Sequence, residues 1–159
     1  MNKHLCRAKR KDNNEWIYGY VCRYGHTGKE KWYIIPEYAS ALYVIEIDPK
    51  TIERCTGFSD KNGRIIFEGD IFKIPDEIWT IICFASSGQE HNSSDVENYG
   101  VVGFDEDTGC YDFVKYKFNK NSVETALHKN HVITFPKLVS ELEIFGKIQD
   151  NPNLLDIVS

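Results

Sequence analysis

Thr56-Gly57-Phe58-Ser59-Asp60-Lys61-Asn62-Gly63-Arg64-Ile65-Ile66-Phe67-Glu68-Gly69-Asp70-Ile71-Phe72-Lys73-Ile74 is the most heavily punctuated stretch of this 159-residue chain. Asn62-Gly63 is a strong turn dipeptide, because both residues tolerate positive φ. Gly69-Asp70 makes a second turn, and the apolar run after it ends at Pro75. Two tight turns within so few residues leave no room for a helix and predict short antiparallel strands.

The same rhythm extends in both directions. Trp16–Cys22 and Lys31–Ile35 are aromatic and β-branched, with Gly25-His26-Thr27-Gly28 between them as hairpin chemistry. Leu42–Ile47 reads as a further strand that stops at Asp48-Pro49, where Asp caps and Pro opens a helical turn. Ile78–Phe84 reads as a buried strand, and residues 86–98 as a long polar surface loop. Tyr99–Phe104 and Cys110–Phe118 flank a hairpin tip, with Gly109 at its left-handed position. Ser122–His128 suits one short helix, Leu142–Ile148 a last strand, and Asn151-Pro152-Asn153-Leu154-Leu155 a capped terminal turn. The expected fold is all-β: a small barrel-like or sandwich body of short antiparallel strands, with long loops and one or two short helical segments. The length suits a single domain over 1–159, with an N-terminal β subregion at 1–55 and a barrel-like core at 56–159.

Composition narrows the function. Lys+Arg is 19 and Asp+Glu 24, a net charge of −5, which excludes a binder that coats nucleic acid with its whole surface. The charge is uneven. Residues 1–75 carry 13 bases against 10 acids, a net +3, whereas residues 76–159 carry 6 against 14, a net −8. The basic start, with Arg7, Lys9 and Arg10, reads either as an exposed solubilising end or as a phosphate-binding one. No apolar h-region follows that start, and the longest apolar-rich run, Ile78–Ala85, is far shorter than a membrane helix. The five cysteines are widely spaced without any C-x-x-C, as expected of reduced thiols in a cytosolic protein.

The chain resembles the YopX family of phage and prophage proteins. The resemblance rests on blocks in order: Arg7-Ala8-Lys9-Arg10 leading to Trp16-Ile17-Tyr18-Gly19, then Ile34-Ile35-Pro36-Glu37 and Ile47-Asp48-Pro49-Lys50-Thr51-Ile52. The strongest block runs from Thr56-Gly57 through Asp60-Lys61-Asn62-Gly63 and Glu68-Gly69-Asp70 to Ile71. Ile144-Phe145-Gly146-Lys147-Ile148 and Asn151-Pro152-Asn153-Leu154-Leu155 match the family's ending. The resemblance implies a mainly β fold, a phage or prophage origin and a cytoplasmic place in a bacterial host. It carries over no catalytic residues.

Several residue groupings carry candidate chemistry. Asp60, Glu68 and Asp70 would suit a hard divalent cation if they converged, as in a metal-dependent hydrolase; as structure, Asp60, Asn62, Gly63, Gly69 and Asp70 are turn formers. Trp16, Tyr18, Tyr20 and Tyr24 alternate on one strand face near Trp32 and Tyr33. With Arg7, Lys9, Arg10 and Arg23 they form either a stacking platform for nucleic acid or a core or subunit interface. The Asp105-x-Asp107-x-Gly109 tip lacks a calcium loop's closing glutamate, since Tyr116 stands there. Histidines, including His128 and His131, lack the further ligands a zinc site needs. No nucleophile, phosphate-cradling or dinucleotide motif is present. The leading expectation is therefore a non-enzymatic binding module without cofactor or metal. Its partner would be a phage or host protein rather than a membrane, with nucleic acid as the alternative and self-association expected.

Overall fold

The computed structural model of the chain describes residues 4–40, 42–78, 97–118, 122–125 and 135–155. Eleven strands lie among them: β1 (Cys6–Lys9), β2 (Trp16–Tyr24), β3 (Lys31–Pro36), β4 (Ile45–Glu46), β5 (Glu53–Ser59), β6 (Ile65–Phe67), β7 (Asp70–Ile74), β8 (Asn98–Asp105), β9 (Cys110–Phe118), β10 (Ser122–Thr125) and β11 (Ile144–Lys147). They form a six-stranded sheet in the order β4-β3-β2-β1-β5-β6 and a five-stranded sheet in the order β10-β9-β8-β7-β11. The fold is all-β, and among the described residues neither sheet closes into a barrel. Packing divides the chain into two compact units, Met1–Gly57 and Phe58–Ser159, with β5 carrying the chain from one to the next.

In the first unit, register decides what is buried. Ala8 stands opposite Ile17, Val21 opposite Ile34, and Ile34 opposite Ile45. Because alternate residues share a face, these side chains gather on one side of the sheet with Ile47, Trp32 and Ile52. Gly19 lies on that same parity, opposite Pro36, and a Cβ there would sit 2.0 Å from the Ile35 carbonyl oxygen. Segment 45–48 is tied on both sides. It pairs with β3, while Lys11 N donates to Glu46 O and Asp48 N to Lys9 O. Asp48 Oδ1 accepts from Lys50 N at 3.0 Å and starts a 3-10 turn at Pro49, as Asp-Pro chemistry predicts.

In the second unit the main core is Ile66, Phe72, Ile74, Val102, Phe113, Phe135, Leu138, Val139 and Leu142. Edge-to-face aromatic contacts run through it, Phe72 to Phe113 and Phe113 to Phe135. A short helix, α1 (Phe135–Val139), supplies Phe135, Leu138 and Val139, the i, i+3, i+4 set of one face. A smaller cluster of Ile71, Tyr99 and Val101, backed by Ile148 and Leu154, occupies the opposite parity of β7 and β8. The tip between β8 and β9 has the expected form: Gly109 sits at φ 69° and donates to Asp105 O.

Several expectations are corrected. The basic start is no loose end. Cys6–Lys9 is an interior strand between β2 and β5, with Arg7 and Ala8 buried, because Arg7 finds a buried carboxylate partner. Of Leu42–Ile47, only Ile45 and Glu46 form strand; Leu42, Tyr43 and Val44 are exposed, in a lip led by turn hydrogen bonds. Ser122–Thr125 is strand rather than the start of a helix, since β9 offers a backbone ladder and Val123 and Thr125 are β-branched. The last strand is shorter than expected, and Ile78 lies in a helical turn rather than a strand. The rest of the expected strand to Phe84, most of the 86–98 loop, and His128 and His131 lie outside the described residues.

Candidate functional site

The β1–β2 register puts Arg7 opposite Tyr18 and Lys9 opposite Trp16, so all four side chains leave the sheet on the face away from the first unit's apolar cluster. Both cations lie near the indole of Trp16, Arg7 Cζ at 5.1 Å and Lys9 Nζ at 5.3 Å from the ring centroid. That is cation–π range. Tyr20, Cys22 and Tyr24 continue the row along β2, opposite Ile35, Tyr33 and Lys31 of β3. Tyr18 is 39% exposed and Tyr24 80%, while Trp16, Tyr20, Tyr33 and Ile35 are half-buried. The aromatic row is thus a half-open surface rather than the unit's core, and β3 adds Tyr33, which the sequence already placed nearby, and Ile35, which it did not single out.

The charges on this surface are largely cancelled within the chain. Arg7 Nε donates to Glu53 Oε2 at 2.6 Å, with both side chains buried. Arg10, one step on in the alternation, does not join the face. Its guanidinium grips Asp12 through Nε to Oδ1 at 2.9 Å and NH2 to Oδ2 at 2.6 Å. That hydrogen bond raises the Arg10 pKa and lowers that of Asp12. Lys11 pairs with Glu46 at 2.8 Å, raising the lysine and lowering the glutamate, and Lys31 lies 3.8 Å from the same carboxylate. On the opposite face Arg23 lies over Trp32 and 3.9 Å from Glu30. Glu53 is the residue that sequence reading missed. No signal marked 53–59 as a strand, so nothing placed this acid beside Arg7.

The second candidate cluster is a turn, and the structure shows what it is for. Asp60 has a fully buried carboxylate. Its Oδ1 accepts from Asn62 N and Arg64 N, both at 2.9 Å; its Oδ2 accepts from Arg64 Nε at 2.8 Å and Ile144 N at 3.2 Å. Burial pushes its pKa up, but these hydrogen bonds outweigh burial and leave it lowered. Gly63 takes φ 78° in the same turn and donates to Asp60 O. Arg64 reaches on to Glu143 and to Ile144 O, and Lys61 Nζ meets Glu143 at 3.1 Å. In the next turn, buried Asp70 accepts from Phe67 N at 2.8 Å and Gly69 has φ 77°. Gly69 O accepts from Ile148 N, and β11 pairs with β7. Glu68 is half-buried. The two signature turns and the C-terminal block are therefore one interlocked structure. Among the described residues, no three His, Cys, Asp or Glu side chains gather to hold a metal ion, so Asp60, Glu68 and Asp70 do not form the ligand set a hydrolase would need.

A family profile described as YopX protein matches residues 6–156. The chain belongs to the YopX family. The match spans both sheets and both sets of candidate residues. No curated protein matches this YopX-family chain. Among its described residues, no helix is long and apolar enough to cross a membrane.

Proposed function

We propose that this YopX-family protein is a phage- or prophage-encoded accessory protein that works without catalysis, as a binding module in the cytoplasm of its bacterial host. Its partner is a phage or host protein that docks on the half-open aromatic face of the first sheet. One observation carries the choice of a protein over nucleic acid: the candidate cations Arg7 and Arg10 already hold carboxylates, Glu53 and Asp12. A phosphate backbone would have to displace those acids before gaining counterion release. A protein partner needs no such exchange. Tyrosine, tryptophan and a charge-balanced rim are what buried interface centres favour.

The test is site-specific photo-crosslinking from position 18 in induced host lysate, with the same probe at Phe104 as reference. A discrete polypeptide adduct at position 18, resistant to nuclease and absent at position 104, is expected. Adducts that vanish on nuclease treatment, or none at all, would sink the reading. The second reading, single-stranded nucleic acid stacked on Trp16 and Tyr18, is favoured by the juxtaposition of Lys9 with both rings. It requires salt-dependent anisotropy changes with short oligonucleotides.

A further inference from the structure

Between β3 and β4 the described residues 37–40 and 42–44 form a largely exposed lip. Tyr38 is 80% exposed, Leu42 97%, Tyr43 52% and Val44 43%. The lip is held by backbone: Glu37 N donates to Tyr18 O at 3.2 Å, Ala39 N to Pro36 O at 2.9 Å and Tyr43 N to Ser40 O at 2.9 Å. Together these four residues expose on the order of 500 Å² of largely apolar surface, comparable in size with an interaction patch. Directly beside it is a cleft of about 420 Å³ lined by Arg10, Lys11, Asp12, Val44, Ile45 and Glu46. The charges of that cleft pair off, Arg10 with Asp12 and Lys11 with Glu46, so it presents no net charge to attract an ionic ligand. What remains to recognise is the apolar wall of Val44 and Ile45.

We propose that the lip is a self-association surface on which Leu42 of one copy enters the cleft of a second copy, and the second copy returns the contact. A two-fold interface requires one surface to carry both projection and recess, close together. Residues 42–46 do so: an apolar side chain almost wholly in solvent stands beside a charge-neutral recess with an apolar wall. The balance of charges also removes the repulsion that would oppose like surfaces meeting. Two such lips remove roughly 1,000 Å² from water, the lower limit for a specific interface. The dimer is accordingly weak, with a dissociation constant on the order of tens of micromolar. The lip is tied to the aromatic face through Glu37 N and Tyr18 O, but the two proposals name different contact residues and different measurements, so either can fail alone.

Sedimentation equilibrium on the full chain, from about 1 µM to about 0.5 mM, tests it across the range in which so weak a dimer forms. The wild type is expected to show a reversible monomer–dimer equilibrium. Leu42→Glu, at a site too exposed to affect folding, is expected to raise the dissociation constant at least about tenfold with an unchanged thermal melt, because it would bury an unpaired charge. Leu42→Met keeps the volume and should keep the dimer. His26→Glu makes a similar charge change in the turn at the far end of the β2–β3 ladder and should leave the equilibrium unaltered. A wild type that stays monomeric throughout overturns the proposal. So does a Leu42→Glu protein that dimerises like the wild type, or a His26→Glu protein weakened equally.

Discussion

The carboxylate of Asp60 and the backbone N–H of Ile144 meet at 3.2 Å across 84 residues of sequence. This contact joins the Asp-Lys-Asn-Gly turn to the start of β11, and three further donors complete the carboxylate's shell. A turn that could have been held by local chemistry alone is instead the anchor of a long-range closure. Asp60→Ala should cost about 3 kcal/mol in urea denaturation, because buried N–H groups lose a charged acceptor. Asp60→Asn should cost less but not nothing. Its amide oxygen can still accept from Asn62 N and Arg64 N, but its NH₂ then faces the donors Arg64 Nε and Ile144 N. Equal losses for the two substitutions would mean that the shell, as opposed to the turn, contributes little.

The same carboxylate sets an acid limit. Its pKa is lower in the fold than its ordinary 3.8, so its stabilising effect is complete above the unfolded value and disappears as pH falls through the folded one. Denaturation midpoints of the wild type should drop on acidification below about pH 4. Those of Asp60→Asn should drop less steeply over the same window. Parallel curves would remove Asp60 as the source.

Tyr99 gives the opposite sign at high pH. Burial, then the hydrogen bond it donates to Glu97, push its hydroxyl up to about 12 from 10.0. The neutral phenol is therefore favoured by folding, and its contribution holds below pH 10 and is lost as pH rises toward 12. Tyrosinate absorbance should show a phenol in the native protein that ionises only as pH approaches about 12. Glu97→Gln should move that titration down only in part, since burial, the larger cause, remains. A complete return to ordinary behaviour would reverse that ranking.

Arg7 and Glu53 show where legibility ended. The strands Trp16–Cys22, Lys31–Ile35 and Cys110–Phe118, and both turns with positive-φ glycines, could be read because local composition and local conformation agree there. Cys6–Lys9 and Glu53–Ser59 could not, because they complete each other across a long stretch of sequence, although Cys6–Lys9 also pairs locally with β2, and a basic run looks solvated until its acid is in place. The exposed lip escaped for the converse reason: Leu42-Tyr43-Val44 has strand composition, but only Ile45 and Glu46 pair with β3. Of the candidate site, the row of Trp16, Tyr18, Tyr20 and Tyr24 was legible from alternation; the register that sets Lys9 opposite Trp16 and the neutralisation of Arg7 were not. Arg7→Ala should accordingly destabilise the protein by about 3–5 kcal/mol, leaving a buried carboxylate exposed to an apolar setting. The double change Arg7→Met with Glu53→Leu should recover most of that loss. If Arg7→Ala folds normally and only weakens oligonucleotide binding, Arg7 is a phosphate contact instead.

Two glycines separate space from conformation. A Cβ on Gly19 would stand 2.0 Å from Ile35 O, 2.7 Å from Ile35 C and 2.9 Å from Pro36 Cα, all backbone of the adjoining strand. No rotamer relieves such a clash, so Gly19→Ala must push β2 and β3 apart or bend one of them. Six rungs run from Gly19–Pro36 to Tyr24–Lys31, and the Val21–Ile34 pair packs on the apolar cluster between them. The expected cost is about 3 kcal/mol or more, at the upper end of overpacking. Gly63 meets nothing within 4 Å, but its φ of 78° is unfavourable for any L side chain. Gly63→Ala should cost only about 1 kcal/mol, the conformational penalty alone. Thermal melts of the two variants should therefore rank Gly19→Ala well below Gly63→Ala, and amide exchange in the first should accelerate along Tyr20–Tyr24 while the second unit stays protected. The reverse order would place the strain in the turn and not between the strands.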